Sequence, residues 1–167
     1  MPKSCRQIVN YVSVHDNFTL WDKLILTMHG ELRQRCWEVD FTSRFEDVLA
    51  ANRLAAFIYF TCQGNLLMQA GEEFGRTKLG EDNSYRSAPE INMLRWSQVE
   101  DFGDLVEYYK GLIRLRKRLP GLCDKSPSAF GRITDQKICG EGIVSFRVDN
   151  RSAQGAEWEE LQIVYNA

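Results

Sequence analysis

The sequence predicts an α/β fold: a parallel β–α–β unit with further helices, followed by a short antiparallel β segment. Three observations carry this. An apolar, strand-like run, Ile8 to Val14, is separated from a second one, Leu66 to Ala70, by a strongly patterned helix. That order requires a crossover connection and hence parallel pairing. Past about residue 125 the helical period disappears and short alternating runs take over, with turn residues between them.

Taken in order, Ile8-Val9-Asn10-Tyr11-Val12-Ser13-Val14 reads as a buried strand that stops at the polar triplet His15-Asp16-Asn17. Thr19-Leu20-Trp21-Asp22 fits a helix start, with the Thr19 hydroxyl accepting a backbone N–H and Asp22 near the positive end of the dipole. Leu20, Leu24, Ile25 and Met28 continue at helical spacing, and Gly30 ends the segment. Residues 31–42 are polar and irregular. Ser43-Arg44-Phe45-Glu46 reads as a second capping box, opening a helix whose stripe is Phe45, Val48, Leu49, Ala55, Ala56, Tyr59 and Phe60. Gly64 supplies a left-handed stop before the second strand.

From Gly71 to about Val99 no period is clear. A stretch of that length inside a compact domain is functional or disordered. Its Phe74, Tyr85 and Trp96, with Pro89 as its only proline, favour order. A further helix carries Leu105, Tyr109, Leu112, Ile113 and Arg116 on one face, ends in a basic turn and is closed by Pro120. Gly140-Glu141-Gly142 is a turn, Ile143 to Val148 a strand, Asn150 to Gly155 a hairpin loop, and Leu161 to Tyr165 a half-buried strand.

Composition limits the function classes. The 167 residues are 44% hydrophobic and 26% charged, as in soluble globular proteins. The 21 basic and 23 acidic residues nearly cancel, which argues against nucleic acid or an anionic membrane surface as partner. Five scattered cysteines form no C-x-x-C pair, so neither a metal finger nor a disulfide framework is expected. Such thiols, with no secretory signal in MPKSCRQIVNYV, favour the cytoplasm, although both chain ends read as cut from something longer. The apolar run Leu54 to Phe60 is too short to span a bilayer. No cofactor is implied and no ligand cluster demands a metal.

In parallel α/β folds, ligands collect where strands end and variable loops begin. His15-Asp16-Asn17 and Gly71-Glu72-Glu73 both follow strands in this way. A carboxylate beside an imidazole can hydrogen-bond vicinal sugar hydroxyls and favour positive charge in an oxocarbenium-like transition state. A His-Asp pair also caps turns, and a Glu pair also holds loop backbone; spacing alone leaves both readings open.

The motifs add a resemblance. VNYVSVHDNFTLWDKL resembles the fourth conserved region of the α-amylase superfamily, in the form found in type I pullulanases and related debranching enzymes. AGEEFGRTKLGEDNSYRSAPEINMLRW resembles the segment after the eighth barrel strand of those enzymes, including its Asn-Ser-Tyr. EYYKGLIRLRKRLP is similar to the eighth barrel helix, and WEELQIVYNA agrees more weakly with the C-terminal β region.

The resemblance implies that residues 1–122 are the C-terminal part of a (β/α)8 barrel, its last two β/α units. Residues 123–167 would begin an antiparallel β domain. It implies that Asp16 is the third catalytic acid and His15 a contact to the same sugar, with Asn17, Asn83 and Tyr85 as further substrate contacts. Glu72 and Glu73 belong to a structural turn in this reading. The implied ligand is an α-glucan with α-1,6 branch links, and the implied reaction is hydrolysis with retention. The nucleophile and general acid, which must lie about 5 Å apart, would fall upstream of this chain. The chain alone is therefore expected to be inactive and to self-associate through exposed barrel edges. The alternative is a non-catalytic glucan-binding or complementing module.

Overall fold

The computed structural model describes residues 2–30 and 38–167. The α/β content and the antiparallel sheet near the C-terminus agree with the sequence reading. The chain divides into two compact units, one of Met1–Asn10, Phe57–Leu67 and Gly111–Ala167, the other of Tyr11–Ala56 and Met68–Lys110.

In the first unit, β1 (Val9–Asn10) pairs in parallel with β2 (Asn65–Leu66), in the register Val9↔Asn65 and Asn10↔Leu66. The crossover between them predicts that pairing, but the strands are far shorter than the runs 8–14 and 66–70 expected from apolar pattern. Val9 and Tyr11 are about half exposed, so the alternation there does not mark a strand buried on both faces.

The chain between the strands contains α1 (Leu20–Met28) and α2 (Glu46–Phe60). After α2, the carbonyls of Phe60, Cys62 and Gly64 accept bonds from the Arg116 guanidinium at 2.6, 2.8 and 2.8 Å. Arg116 thus ties together the turn that follows α2, while the N–H groups of Thr61 and Cys62 take the carbonyls of Phe57, Ile58 and Tyr59. Gly64 is left-handed at φ 104°, but it sits at the start of β2, where an added Cβ would lie 2.9 Å from the Ile8 Cβ.

The same unit contains a three-stranded antiparallel sheet: β3 (Ile133–Gly140), β4 (Ile143–Asp149) and β5 (Glu160–Asn166), in that spatial order. Gly142, at φ 70°, makes the turn between β3 and β4. The strand β3 was not expected. Its residues are almost all exposed, so no buried face imprints a period of two on them. Leu119, Leu122, Val148 and Ile163 form the core beneath the sheet.

In the second unit the Thr19 hydroxyl accepts the Asp22 N–H at 3.1 Å, as the capping pattern requires. α1 ends at Met28, with His29 as its C-cap, just before Gly30. The Ser43 box does not form. The Asp40 carboxylate takes the N–H groups of Thr42 and Ser43 at 2.9 and 3.0 Å, and α2 begins at Glu46. Of the irregular segment 31–42, residues 31–37 lie outside the described residues.

The aperiodic stretch is ordered as short turns at Glu72–Phe74 and Ser84–Arg86, with α3 (Pro89–Asn92) and α4 (Gln98–Asp101). Then comes α5 (Gly103–Lys117), and Pro120 opens α6 (Pro120–Cys123) instead of only closing its predecessor. Trp21 packs edge-on to Phe102 with ring centroids 5.1 Å apart, and the buried Tyr109 hydroxyl donates to Asn52 at 3.0 Å.

Candidate functional site

Among the described residues, residues 12–15 have no strand partner, so their polar backbone groups need others. Side chains supply them at Val12, Val14 and His15, and between these the Ser13 side chain is itself bonded. The Lys23 ammonium donates to the Val12 carbonyl at 2.8 Å, and the Ser13 hydroxyl donates to Glu72 at 2.5 Å. Gln69 donates its amide to the Val14 carbonyl at 2.7 Å, and the Lys78 ammonium donates to the His15 carbonyl at 2.6 Å. Three of these four partners come from residues 69–78, so the segment after β2 holds the segment after β1. Ser13, Gln69, Glu72 and Lys78 are all buried.

On this base the polar triplet faces water. The side chains of His15 and Asp16 are 88% and 82% exposed, and His15 Nε2 lies 3.2 Å from an Asp16 carboxylate oxygen. Asn17 adopts the left-handed conformation at φ 66°, and its side-chain oxygen accepts the Phe18 N–H at 2.7 Å. That local turn reverses the chain into the Thr19 cap and leaves the imidazole and carboxylate projecting side by side.

A buried carboxylate organises the underside. Asp22 accepts the Thr77 hydroxyl, and the Lys78 N–H at 2.9 Å. Burial raises its pKa, opposed by those donors and by the Thr19 hydroxyl and the Gly80 N–H. Burial lowers the pKa of Lys78, with the Arg76 charge adding to the effect, while the carboxylates of Asp22, Asp16 and Glu81 favour its charged form.

Asn83 and Tyr85 lie on the next turn. Asn83 donates its N–H to Glu81 at 3.0 Å, and Tyr85 is 73% exposed with the Arg86 guanidinium 5.2 Å from its ring centre. Asn92 fixes this turn from below, since it accepts the Ser84 hydroxyl at 2.8 Å and donates to the Ser84 carbonyl at 2.7 Å. Trp96, largely exposed, leans on buried Phe74 with centroids 5.6 Å apart.

The structure therefore brings His15 and Asp16 into contact and places Asn17 beside them in the chain. Among the described residues, no hydrogen bond joins Asn83 or Tyr85 to that triplet. Glu72 takes the Ser13 hydroxyl and, at 3.3 Å, the Gln69 N–H, in keeping with a role in the turn. Sequence reasoning missed Asp22, Gln69 and Lys78 as supports of the site, because each is isolated in sequence from the group it holds.

No set of three or more His, Cys, Asp or Glu side chains among the described residues is placed to hold a metal, and no described helix is long and apolar enough to cross a membrane. A cavity of about 340 Å³ in the first unit, walled by Ile8, Cys62, Ile133, Val144, Phe146 and Tyr165, contains none of the candidate site residues.

No protein-family model matches the chain. It is 32% identical over 163 residues to the pullulanase of Bacillus subtilis strain 168, covering 96% of this chain and 21% of that protein. It is 29% identical over 131 residues to the glycogen debranching enzyme of Dickeya chrysanthemi, covering 68% of this chain and 20% of that protein. The pullulanase of Paenibacillus barengoltzii, solved in complex with maltohexaose and alpha-cyclodextrin, superposes with a TM-score of 0.83 at 35% identity. That match covers 98% of this chain and 23% of the solved one. The chain spans about a fifth of the length of the curated relatives it matches.

Proposed function

We propose, on the premise that this chain is homologous to one segment of the pullulanases over nearly its whole length and of the glycogen debranching enzymes over about two thirds of it, that it is the sugar-gripping part of a retaining glycoside hydrolase. The single observation that carries this is the exposed His15–Asp16 pair, built on a buried polar base formed by residues 13, 69, 72 and 78. In this reading residues 1–122 are the last two β/α units of a (β/α)8 barrel, and residues 123–167 begin the C-terminal β domain.

Asp16 binds hydroxyls of the glucosyl unit at the cleavage point and stabilises positive charge as the ring flattens. His15 donates to the same sugar, and Asn17, Asn83 and Tyr85 contact the substrate around it. The bond broken is an α-1,6 branch link of pullulan, glycogen or a limit dextrin, with retention. That chemistry needs a carboxylate nucleophile and an acid about 5 Å apart, and we place both outside this chain. Among the described residues, Glu72 offers no substitute, being buried and bonded to Ser13. We further infer that the chain self-associates through exposed barrel edges, and β3, outside the barrel part, adds an outer edge unpaired among the described residues, with Ile138 on it 86% exposed.

The test is calorimetry with maltotriose alongside a pullulan assay on the purified chain. Binding without release of maltotriose is expected, with Asp16→Asn weakening binding by about tenfold or more through loss of a charged hydrogen bond. No binding by the wild-type chain overturns the site. Pullulan cleavage that disappears in Asp16→Asn overturns the division of the active site between polypeptides. The exposed rings of Tyr85 and Trp96 favour a second reading, a non-catalytic glucan-binding module. Adding a polypeptide that carries the nucleophile and acid separates the two, since restored cleavage supports the enzyme.

A further inference from the structure

We propose that Lys78 is a positioning residue for the His15–Asp16 pair; the proposal rests on the reading of that pair as a sugar contact. Lys78 is 2% exposed, yet among the described residues its ammonium has no carboxylate within salt-bridge distance. The nearby Asp22 carboxylate is taken up by the Thr77 hydroxyl and by the N–H of Lys78 itself. The ammonium goes instead to the His15 carbonyl at 2.6 Å.

A buried cation without an ion pair is costly, and an apolar side chain of the same length would be cheaper to bury. The carboxylates of Asp22, Asp16 and Glu81 offset part of that cost without touching the ammonium, and the one hydrogen bond it makes sets where the charge acts. The His15 carbonyl belongs to the planar peptide unit that joins His15 to Asp16. A charge-assisted bond to its oxygen fixes that plane, and with it the directions in which both side chains leave the backbone. The root of Lys78 is equally fixed, because Asp22 at the start of α1 holds its N–H. The path runs from a capped helix, through a buried carboxylate and an ammonium, to one peptide plane. Without it, the exposed imidazole and carboxylate sit on a turn that can rotate.

The test compares Lys78→Met, which fills the same space without charge, with Lys78→Arg, which keeps the charge and a donor. Maltotriose affinity, measured by calorimetry, is expected to fall by about tenfold in Lys78→Met and to stay within about threefold in Lys78→Arg. The His15 carbonyl carbon and Asp16 amide nitrogen resonances are expected to move in Lys78→Met and to hold in Lys78→Arg, without any glucan present. Wild-type affinity in a folded Lys78→Met overturns the proposal. If the wild-type chain binds no maltotriose, the sugar-contact reading fails instead, and the two resonances decide the positioning: unmoved, they overturn it. If Lys78→Met does not fold, the hydrogen-bond coupling between the Lys78 Nζ nitrogen and the His15 carbonyl carbon in the wild-type chain decides. Its presence supports the proposal and its absence overturns it.

Discussion

Replacing Asp124 by Asn should destabilise the first unit at neutral pH and do nothing in strong acid. Asp124 accepts the Arg132 Nε–H at 2.5 Å and the Ser126 N–H at 2.8 Å, with the two paired side chains only 15% and 18% exposed. Arg132 first, and then the Ser126 N–H, hold the Asp124 pKa at about 2, below the ordinary 3.8. A depressed carboxylate pKa means that the folded state binds fewer protons than the unfolded one. The stabilisation is therefore complete above the unfolded value of 3.8 and is lost as pH falls through about 2. At about 1.4 kcal/mol per pKa unit the ceiling is near ~2.5 kcal/mol, and solvent screening at this edge brings it to about 1–2 kcal/mol. Urea unfolding of wild type and Asp124→Asn, followed from neutral pH downward, should show two stabilities that converge near the acid limit. A gap that persists unchanged into acid, or no gap at neutral pH, would refute the ion-pair account.

Gly71→Ala should cost about 2–3 kcal/mol, since Gly71 is left-handed at φ 99° and an added Cβ would lie 2.6 Å from the Arg76 Cβ. Arg76 donates to the carbonyls of Ala70 and Asn92 at 3.1 and 2.6 Å, so hydrogen exchange should also rise across the Asn83–Tyr85 turn that Asn92 supports; urea unfolding reads the first effect, and a cost under about 0.5 kcal/mol refutes it. Sedimentation velocity should show concentration-dependent association that Ile138→Lys suppresses, and a compact monomer at every concentration would refute the inferred self-association.

How much was legible in the sequence depended on whether the physics was local. The Thr19 cap was legible because donor and acceptor lie three residues apart. The Ser43 box failed because a competitor at the same separation on the other side, Asp40, captures the N–H of Ser43 before the helix can use that turn. The run Ile8 to Val14 has the alternation of a long strand, but only Val9–Asn10 finds a ladder partner. Its next carbonyls are satisfied by Lys23, Gln69 and Lys78, two of which lie more than fifty residues away. Pattern records which side chains are apolar; it does not record which carbonyl a distant ammonium will reach. The same limit hid β3, whose exposed face leaves no alternation to detect.

For the site, the division follows from solvation. His15 and Asp16 could be proposed from sequence because a polar triplet ending an apolar run is conspicuous, and the structure leaves both in water. Lys78 could not, since a lysine in a polar loop reads as a solvated charge. Burial reverses that reading. A desolvated ammonium must find acceptors in the protein, and here the acceptor is the carbonyl that sets the orientation of the exposed pair. An exposed pair on a free turn would spend binding energy on its own ordering. On the proposed reading, fixing its backbone through a buried charge would move that cost into folding, so that the pair would meet a glucan already oriented. The polar base beneath His15 and Asp16 would then matter to the proposed sugar contact as much as the two side chains themselves.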